Sequence, residues 1–259
     1  MILGLLLAPT AAFSAAGEKP LPQVEEVLNR VIDNLDHDIA NEQLFKETYR
    51  YTRSKKREFK NTEGEIKKLE TKMRTNDPMR VLSKKVSQTT VPKPAPPTNT
   101  DDEEPVSETN TKVRGKQFEK SDFPIGPELL ERFEFKMIGR EPINGRPALI
   151  LDFAPADRKL PEKSIKDKFI NKAAGRVWID ESDFVLVRAE VFLSRPVNVF
   201  GGLVGAVKKF SLQFTRHRTP EGLWFSRTTT WHLEGREVLI RRVVDYHEEI
   251  TDVERVVAH

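Results

Sequence analysis

Between residues 24 and 39 the apolar positions Val24, Val27, Leu28, Val31, Ile32, Leu35 and Ile39 return at steps of three and four, with Glu25, Glu26, Asn29, Arg30 and Asp33 opposite. That period is one apolar stripe and predicts a helix over 23–41. Pro22 and the acidic first turn suit its start. From Glu47 the period shortens to two. ETYRYTRSKKREFKN, EIKKLETKMR and MRVLSKKV, divided by Glu63-Gly64 and Asn76-Asp77-Pro78, predict strands over 47–86 with one face left to water. Residues 87–117 then hold no aromatic side chain, and the run VPKPAPPTNTDDEEPVSETNT carries five prolines and an acidic block. Such a segment cannot bury enough surface to order itself, which predicts a disordered insert over 87–122 inside one domain.

From Glu128 to residue 257 strand and turn alternate almost without interruption. ERFEFKMIGR and RPALILDF flank Asn144-Gly145, a strong hairpin signal. A one-residue bulge would place Phe133, Phe135 and Met137 on one face with Leu149, Leu151 and Phe153. In LPEKSIKDKFINKAAG, the positions Ile165, Phe169 and Ala173 space as a short helix stopped by Gly175. GRVWIDES and FVLVRAEVFLS read as a further hairpin. Setting tips at Pro220-Glu221 and Glu234-Gly235 puts Phe210, Leu212, Phe214, Phe225, Trp231, Val238 and Ile240 on one apolar face. Ser211, Gln213, Thr215, Ser226, Thr228 and Thr230 fall on the other. The same register sets Arg227 against Arg242 on the apolar face, where two cations need an anion between them. A headgroup, or a latch onto Asp33, Asp36 or Asp38 of the helix, would supply it; a bulge or a rim position would remove the need.

About ten strands at roughly 4.8 Å spacing make a flat sheet near 50 Å wide. A helix of about 18 residues is roughly 27 Å by 10 Å. The sheet must therefore curl around its helices, and some concave apolar surface stays uncovered. NVFGGLVGAV (198–207) stands out beside it, with Phe200, Leu203 and Val204 among three glycines and no charge. It reads as a flexible lip that touches acyl chains; a buried strand end with a glycine bend, or a membrane-dipping loop, would also produce it. It is not a phosphate loop, since no Gly-Lys-Ser/Thr follows.

Composition narrows the chemistry. The 43 Lys and Arg against 40 Asp and Glu leave a formal charge of +3, which does not point to a nucleic-acid partner. The chain has no cysteine, which removes disulfides, thiolate ligands, cysteine nucleophiles and an acylated N-terminal cysteine. The histidines show no metal-ligand spacing, no Gly-x-Ser-x-Gly occurs, and no catalytic residue, metal or cofactor is expected. Asp245, His247, Glu248 and Glu249 form a charged cluster that alternation splits between faces, which favours solvation over acid–base work. The first residues, with a short apolar run and Ser14-Ala15-Ala16, read as a signal peptide over 1–16 before a single domain over 17–257.

FEFKMIGREPINGRPALILDF (133–153), KSIKDKFINKAAGRVWIDESDFVLVRAEVFL (163–193), NVFGGLVGAVKKFSLQFTR (198–216), GLWFSRTTTWHLEG (222–235) and RRVVDYHEE (241–249) resemble the outer-membrane lipoprotein-sorting protein family, with its LolA/LolB-like fold. The resemblance covers most of residues 24–257. It implies a mainly β (α+β) fold: a curled antiparallel sheet forming an unclosed barrel, with one long N-terminal helix and a short helix on its concave apolar face. It further implies a soluble periplasmic carrier that binds lipid or an acylated lipoprotein without catalysis. The alternative is a lipid- or lipoprotein-sensing module that signals to a membrane-associated protein partner.

Overall fold

The structure, a computed structural model, describes residues 19–79, 111–113, 116–118, 126–199, 205–237 and 240–256. In chain order these form α1 (Val24–Asp33), α2 (Leu35–Thr48), β1 (Tyr49–Lys60), β2 (Ile66–Asn76), β3 (Thr111–Val113), β4 (Lys116–Phe118), α3 (Pro127–Leu130) and β5 (Phe133–Ile143). Then come β6 (Arg146–Pro155), α4 (Ile165–Ile170), β7 (Ala173–Asp180), β8 (Leu186–Leu193), β9 (Val197–Val199), β10 (Gly205–Arg218), β11 (Trp224–Glu237) and β12 (Ile240–Arg255). The segment read as a signal peptide and the strand expected after residue 79 lie outside the described residues. So does the 87–122 insert, apart from the paired β3 and β4.

One antiparallel sheet runs β2-β1-β12-β11-β10-β8-β7-β6-β5, and β9 pairs the start of β10. Its edges, β2 and β5, do not pair with each other, so the sheet is an unclosed barrel with helices on its inner face. The β5–β6 hairpin turns at Asn144 and Gly145, whose φ angles of 50° and 78° suit the tight turn that this pair favours. A bulge between Met137 and Gly139 aligns Met137 with Leu151 and Phe135 with Phe153, as the sequence predicts. Under them α1 lays its stripe: Val27, fully buried, clusters with Leu149, Leu151 and Ile179, and Val24, Leu28 and Val31 pack against that cluster.

The single long helix is corrected to two, broken at Asn34 and extending to Thr48. Ile39, placed in the stripe by its spacing, is 67% exposed. Beyond the break a polar stripe turns inward. Asn34 donates to the Asp183 carbonyl (2.9 Å), and Asn41 donates to the Trp224 carbonyl (2.9 Å) and accepts from its N–H (3.2 Å). Asp38 receives two bonds from Arg216 (2.8 and 2.7 Å). Phe45 completes the stripe by stacking on Phe225 at 4.7 Å. A hydrophobic pattern cannot see a helix face docked in this way. Likewise α4 ends at Asn171 rather than at Gly175, with Ser164 and Asp167 forming its capping box. Gly175 lies in β7, where a methyl group would overlap the Glu190 carbonyl of β8.

The C-terminal registers also differ from the expected ones. Pro220 and Glu221 do form a tip, but Gly222, at φ +97°, adds a third loop residue. A bulge then follows in which Arg227 is the extra residue of β11. Two one-residue offsets restore the parity of the faces while changing the partners, so Leu212 pairs Trp231 and Phe210 pairs Leu233. Glu234-Gly235 is no turn. The β11–β12 pairing continues to Glu237 and Ile240, and Gly235 is needed because a Cβ there would sit 2.8 Å from the Ala206 carbonyl. Around the NVFGGLVGAV stretch, Val197–Val199 pairs with Gly205–Val207, the preceding Val197 and the final Val207 are buried, and residues 200–204 lie outside the described ones.

Two polar ties invite measurement. Arg216 is 9% exposed in its side chain and Asp38 27%. Asp38→Asn leaves that guanidinium without its anion and should cost about 3 kcal/mol in guanidinium-chloride unfolding. Asp38→Leu with Arg216→Met should recover most of it; a cost below about 0.5 kcal/mol for the single change would show that the pair does not hold α2. Burial pushes the Asp180 carboxyl up, but Arg146 (2.6 and 2.8 Å) and the N–H groups of Ser182 and Asp183 outweigh it and hold it below the usual carboxylate range. Its contribution is therefore complete above the unfolded value near pH 4 and is lost as pH falls through the folded one. Unfolding midpoints between pH 3 and pH 7 should show a smaller acid limb for Asp180→Asn, and an unchanged limb would exclude Asp180 as its source.

Candidate functional site

Phe135, Phe153, Gly175, Val191, Leu212, Trp231, Tyr246 and Arg57 are successive cross-strand partners on one face of the sheet, one from each strand between β5 and β1. A parallel row runs Met137, Leu151, Val177, Ala189, Phe214, Thr229, Glu248 and Lys55. Leu151 belongs to the α1 cluster, so this is the inner face. The corresponding outer row reads Lys136, Asp152, Arg176, Glu190, Gln213, Thr230, His247 and Lys56, wholly polar. Along these rows alternation separates the two chemistries, whereas the next outer row carries Ile150 and Trp178, buried in a second cluster with Ala148, Val185, Val187 and Trp224.

The inner rows change character along their length. From β5 to β10 they are apolar, and α1 covers only the part around Leu149, Leu151 and Ile179. Phe153, Phe210, Leu212, Phe214 and Trp231 remain half-buried. At β11–β12 an aromatic pair marks the boundary: the Trp231 and Tyr246 rings stack at 5.2 Å and 14°. Burial pushes the Tyr246 hydroxyl far up, and its bond to Glu248 adds to this, so it stays protonated and donates to that carboxylate. Beyond it the face is charged. Glu248 lies 3.2 Å from Lys55 and 3.6 Å from Arg53, and the Arg57 guanidinium stands 5.8 Å over the Tyr246 ring.

Of the residues the sequence singled out, Phe210, Leu212, Phe214 and Trp231 meet on this face. Phe225 is buried beneath Phe45 and serves to dock α2. Ile240 is corrected: it is 62% exposed at the β11–β12 end, because the hairpin runs further than Glu234-Gly235. The facing pair Arg227 and Arg242 is corrected for the same reason. Arg242 is exposed opposite Gly235, while the bulged Arg227 donates to the Ile250 carbonyl and lies 3.2 Å from Glu249. Phe200, Leu203, Val204 and Val238 lie outside the described residues.

A latch between a sheet arginine and an inward aspartate of the helix does exist, but it joins Arg216 to Asp38. Its signal was readable, since Arg216 continues the alternation of Phe210, Leu212 and Phe214. Arg53, Lys55 and Arg57 read in the sequence only as part of a basic segment flanked by acids, although they share the parity of Tyr49, Tyr51 and Phe59. Asp245 is engaged on the outer face by His232 (2.6 Å) and Lys60 (2.7 Å). Two clefts of about 380 and 450 Å³ flank Trp224, the larger lined by Asn34, Asp38, Asn41 and Asp183. They lie beside the α2 dock, and neither is lined by the half-buried Phe210, Leu212, Phe214 or Trp231. Among the described residues no group of His, Asp and Glu is placed to hold a metal ion.

No family profile and no curated protein matches the chain. Solved structures similar to it include a domain described as an outer membrane lipoprotein-sorting protein from Vibrio parahaemolyticus, at 12% identity and TM-score 0.36, covering 90% of this chain and 94% of that one. A DUF1329 family protein from Desulfovibrio piger aligns at 10% identity and TM-score 0.34, over 91% and 94% of the two chains. A LolA superfamily protein from Nitrosomonas europaea aligns at 9% identity and TM-score 0.28, over 86% and 94%. The family that the sequence resembles thus reappears among similar structures, and at these values nothing about activity passes from them to this chain.

Proposed function

We propose that this chain is a periplasmic carrier that shields the acyl chains of a lipid or acylated lipoprotein on its inner face, without catalysis. The observation that carries the reading is the row from Phe135 to Trp231, apolar apart from Gly175 and half-buried, beneath which the outer row is wholly polar. Exposing an acyl chain to water costs about 0.8 kcal/mol per CH₂, so a palmitoyl chain costs roughly 11 kcal/mol. An open apolar trough offsets part of that and still allows release, because its contacts are non-directional. Among the described residues no helix is long and apolar enough to cross a membrane. A carrier working in water needs none.

Native mass spectrometry with lipid extraction, on protein exported and recovered from the periplasm, tests this. A copurifying acyl lipid is expected, falling at least tenfold in the variants Leu212→Asn and Trp231→Ala while circular dichroism stays unchanged. A clean apo mass with no uptake of offered lipid would overturn the carrier and leave the partner-binding module as the better reading.

A further inference from the structure

The inner face does not end apolar. On β1 it presents Arg53, Lys55 and Arg57, and their partners directly across on the edge strand β2 are Arg74, Lys72 and Glu70. Two of these three cross-strand pairs set cation against cation, an arrangement that costs stability. Lys72 and Arg74 are exposed, whereas the Arg53 and Lys55 side chains are only 15% and 28% exposed. On β12 the neighbouring acid is Glu248, which Arg53, Lys55 and the Tyr246 hydroxyl share. A chain whose formal charge is only +3 concentrates like charges here against its own stability. Local rules are broken in this way where a ligand completes the arrangement.

We infer that this basic wall receives the anionic head, phosphate or carboxylate, of an amphiphile whose tail runs past the buried Tyr246 and lies across Trp231 and Leu212. The inference rests on the acyl-carrier reading and narrows its cargo to lipids that carry negative charge. The dimensions agree. From Arg57 on β1 to Leu212 on β10 is three strand spacings, about 14 Å. A bilayer core of roughly 30 Å holds two chain lengths, so one chain needs about 15 Å. Arginines at this end provide forked donors for a phosphate or carboxylate, and the stacked Trp231 and Tyr246 separate head from tail.

The test uses the full chain and lipids held below micelle formation: dihexanoyl phosphatidate and laurate as the two anionic heads, dihexanoyl phosphatidylcholine as the zwitterion, and inorganic phosphate alone. Trp231 emission reports binding, because Trp178 and Trp224 are each 4% exposed and sheltered from the change. Phosphatidate, laurate or both should bind roughly tenfold tighter than the zwitterion, with the preference shrinking at high salt. Lys72→Gln with Arg74→Gln should narrow that preference at least threefold, with no loss of thermal stability since repulsion is relieved; Lys72→Gln alone serves should the double variant misfold. Equal affinities for all three lipids would overturn the headgroup wall and leave the carrier standing. Phosphate binding as tightly as phosphatidate would overturn it too, by showing an anion site that needs no tail. No binding of any lipid would remove the carrier reading and this inference together.

Discussion

One sheet face, nine strands wide and apolar over much of its length, has to be kept from water by two helices of 10 and 14 residues. That shortage of cover governs the rest of the molecule. Curling brings the ends of the face towards each other and shrinks the exposed area, yet β5 and β2 do not pair with each other. Only α1 spends its length on apolar contact, and it does so over β6 and β7. α2 is anchored by the polar bonds of Asp38 and Asn41, and its apolar contact centres on Phe45, buried with Tyr49, Tyr51, Phe225 and Ile250. The floor between them is left half-buried.

The anchoring chemistry fits that division of labour. A helix docked by apolar side chains alone can slide, because non-directional contacts tolerate many registers. The doubled bond between Arg216 and Asp38 and the reciprocal bonds of Asn41 with the Trp224 backbone accept one position. A buried ion pair contributes little net stability against an apolar alternative. Its effect here is to fix where α2 sits, and so how wide the trough stays open. Asp180 does similar work for the β7–β8 turn, where one buried carboxylate is bonded by Arg146 and by two turn N–H groups.

How much of this the sequence disclosed depended on which force set each element. The β5–β6 hairpin was readable to its bulge, because Asn144-Gly145 demands a left-handed turn and apolar alternation demands the inner face. The Pro220-Glu221 tip was readable, but its register was not: Gly222 and the bulged Arg227 each add a residue, and together they leave the parity of the faces unchanged while shifting every partner. Glu234-Gly235 misled because a glycine needed for close backbone approach looks the same in sequence as one needed for a turn. The helix break at Asn34 was hidden for a related reason, since periodicity reports burial of apolar groups and α2 turns amides and a carboxylate inward. Of the candidate site, the apolar side chains from Phe210 to Trp231 were legible by alternation, while the charged end required knowing which strand neighbours which.

Strand order is what gives the face its second chemistry. β1 comes from the most charged stretch of the N-terminal half, yet it pairs with β12 at the other end of the chain, Lys55 opposite Glu248 and Arg57 opposite Tyr246. Were β1 and β2 a separate hairpin, their cations would face water and carry no relation to the apolar floor. Pairing across nearly two hundred residues is slow to form, because loop closure must precede its reward. A fold that accepts this delay gains an inner face that is apolar at one end, aromatic at the boundary and basic at the other. No single hairpin of this chain has that gradient, which exists only once the N-terminal strands join the C-terminal sheet.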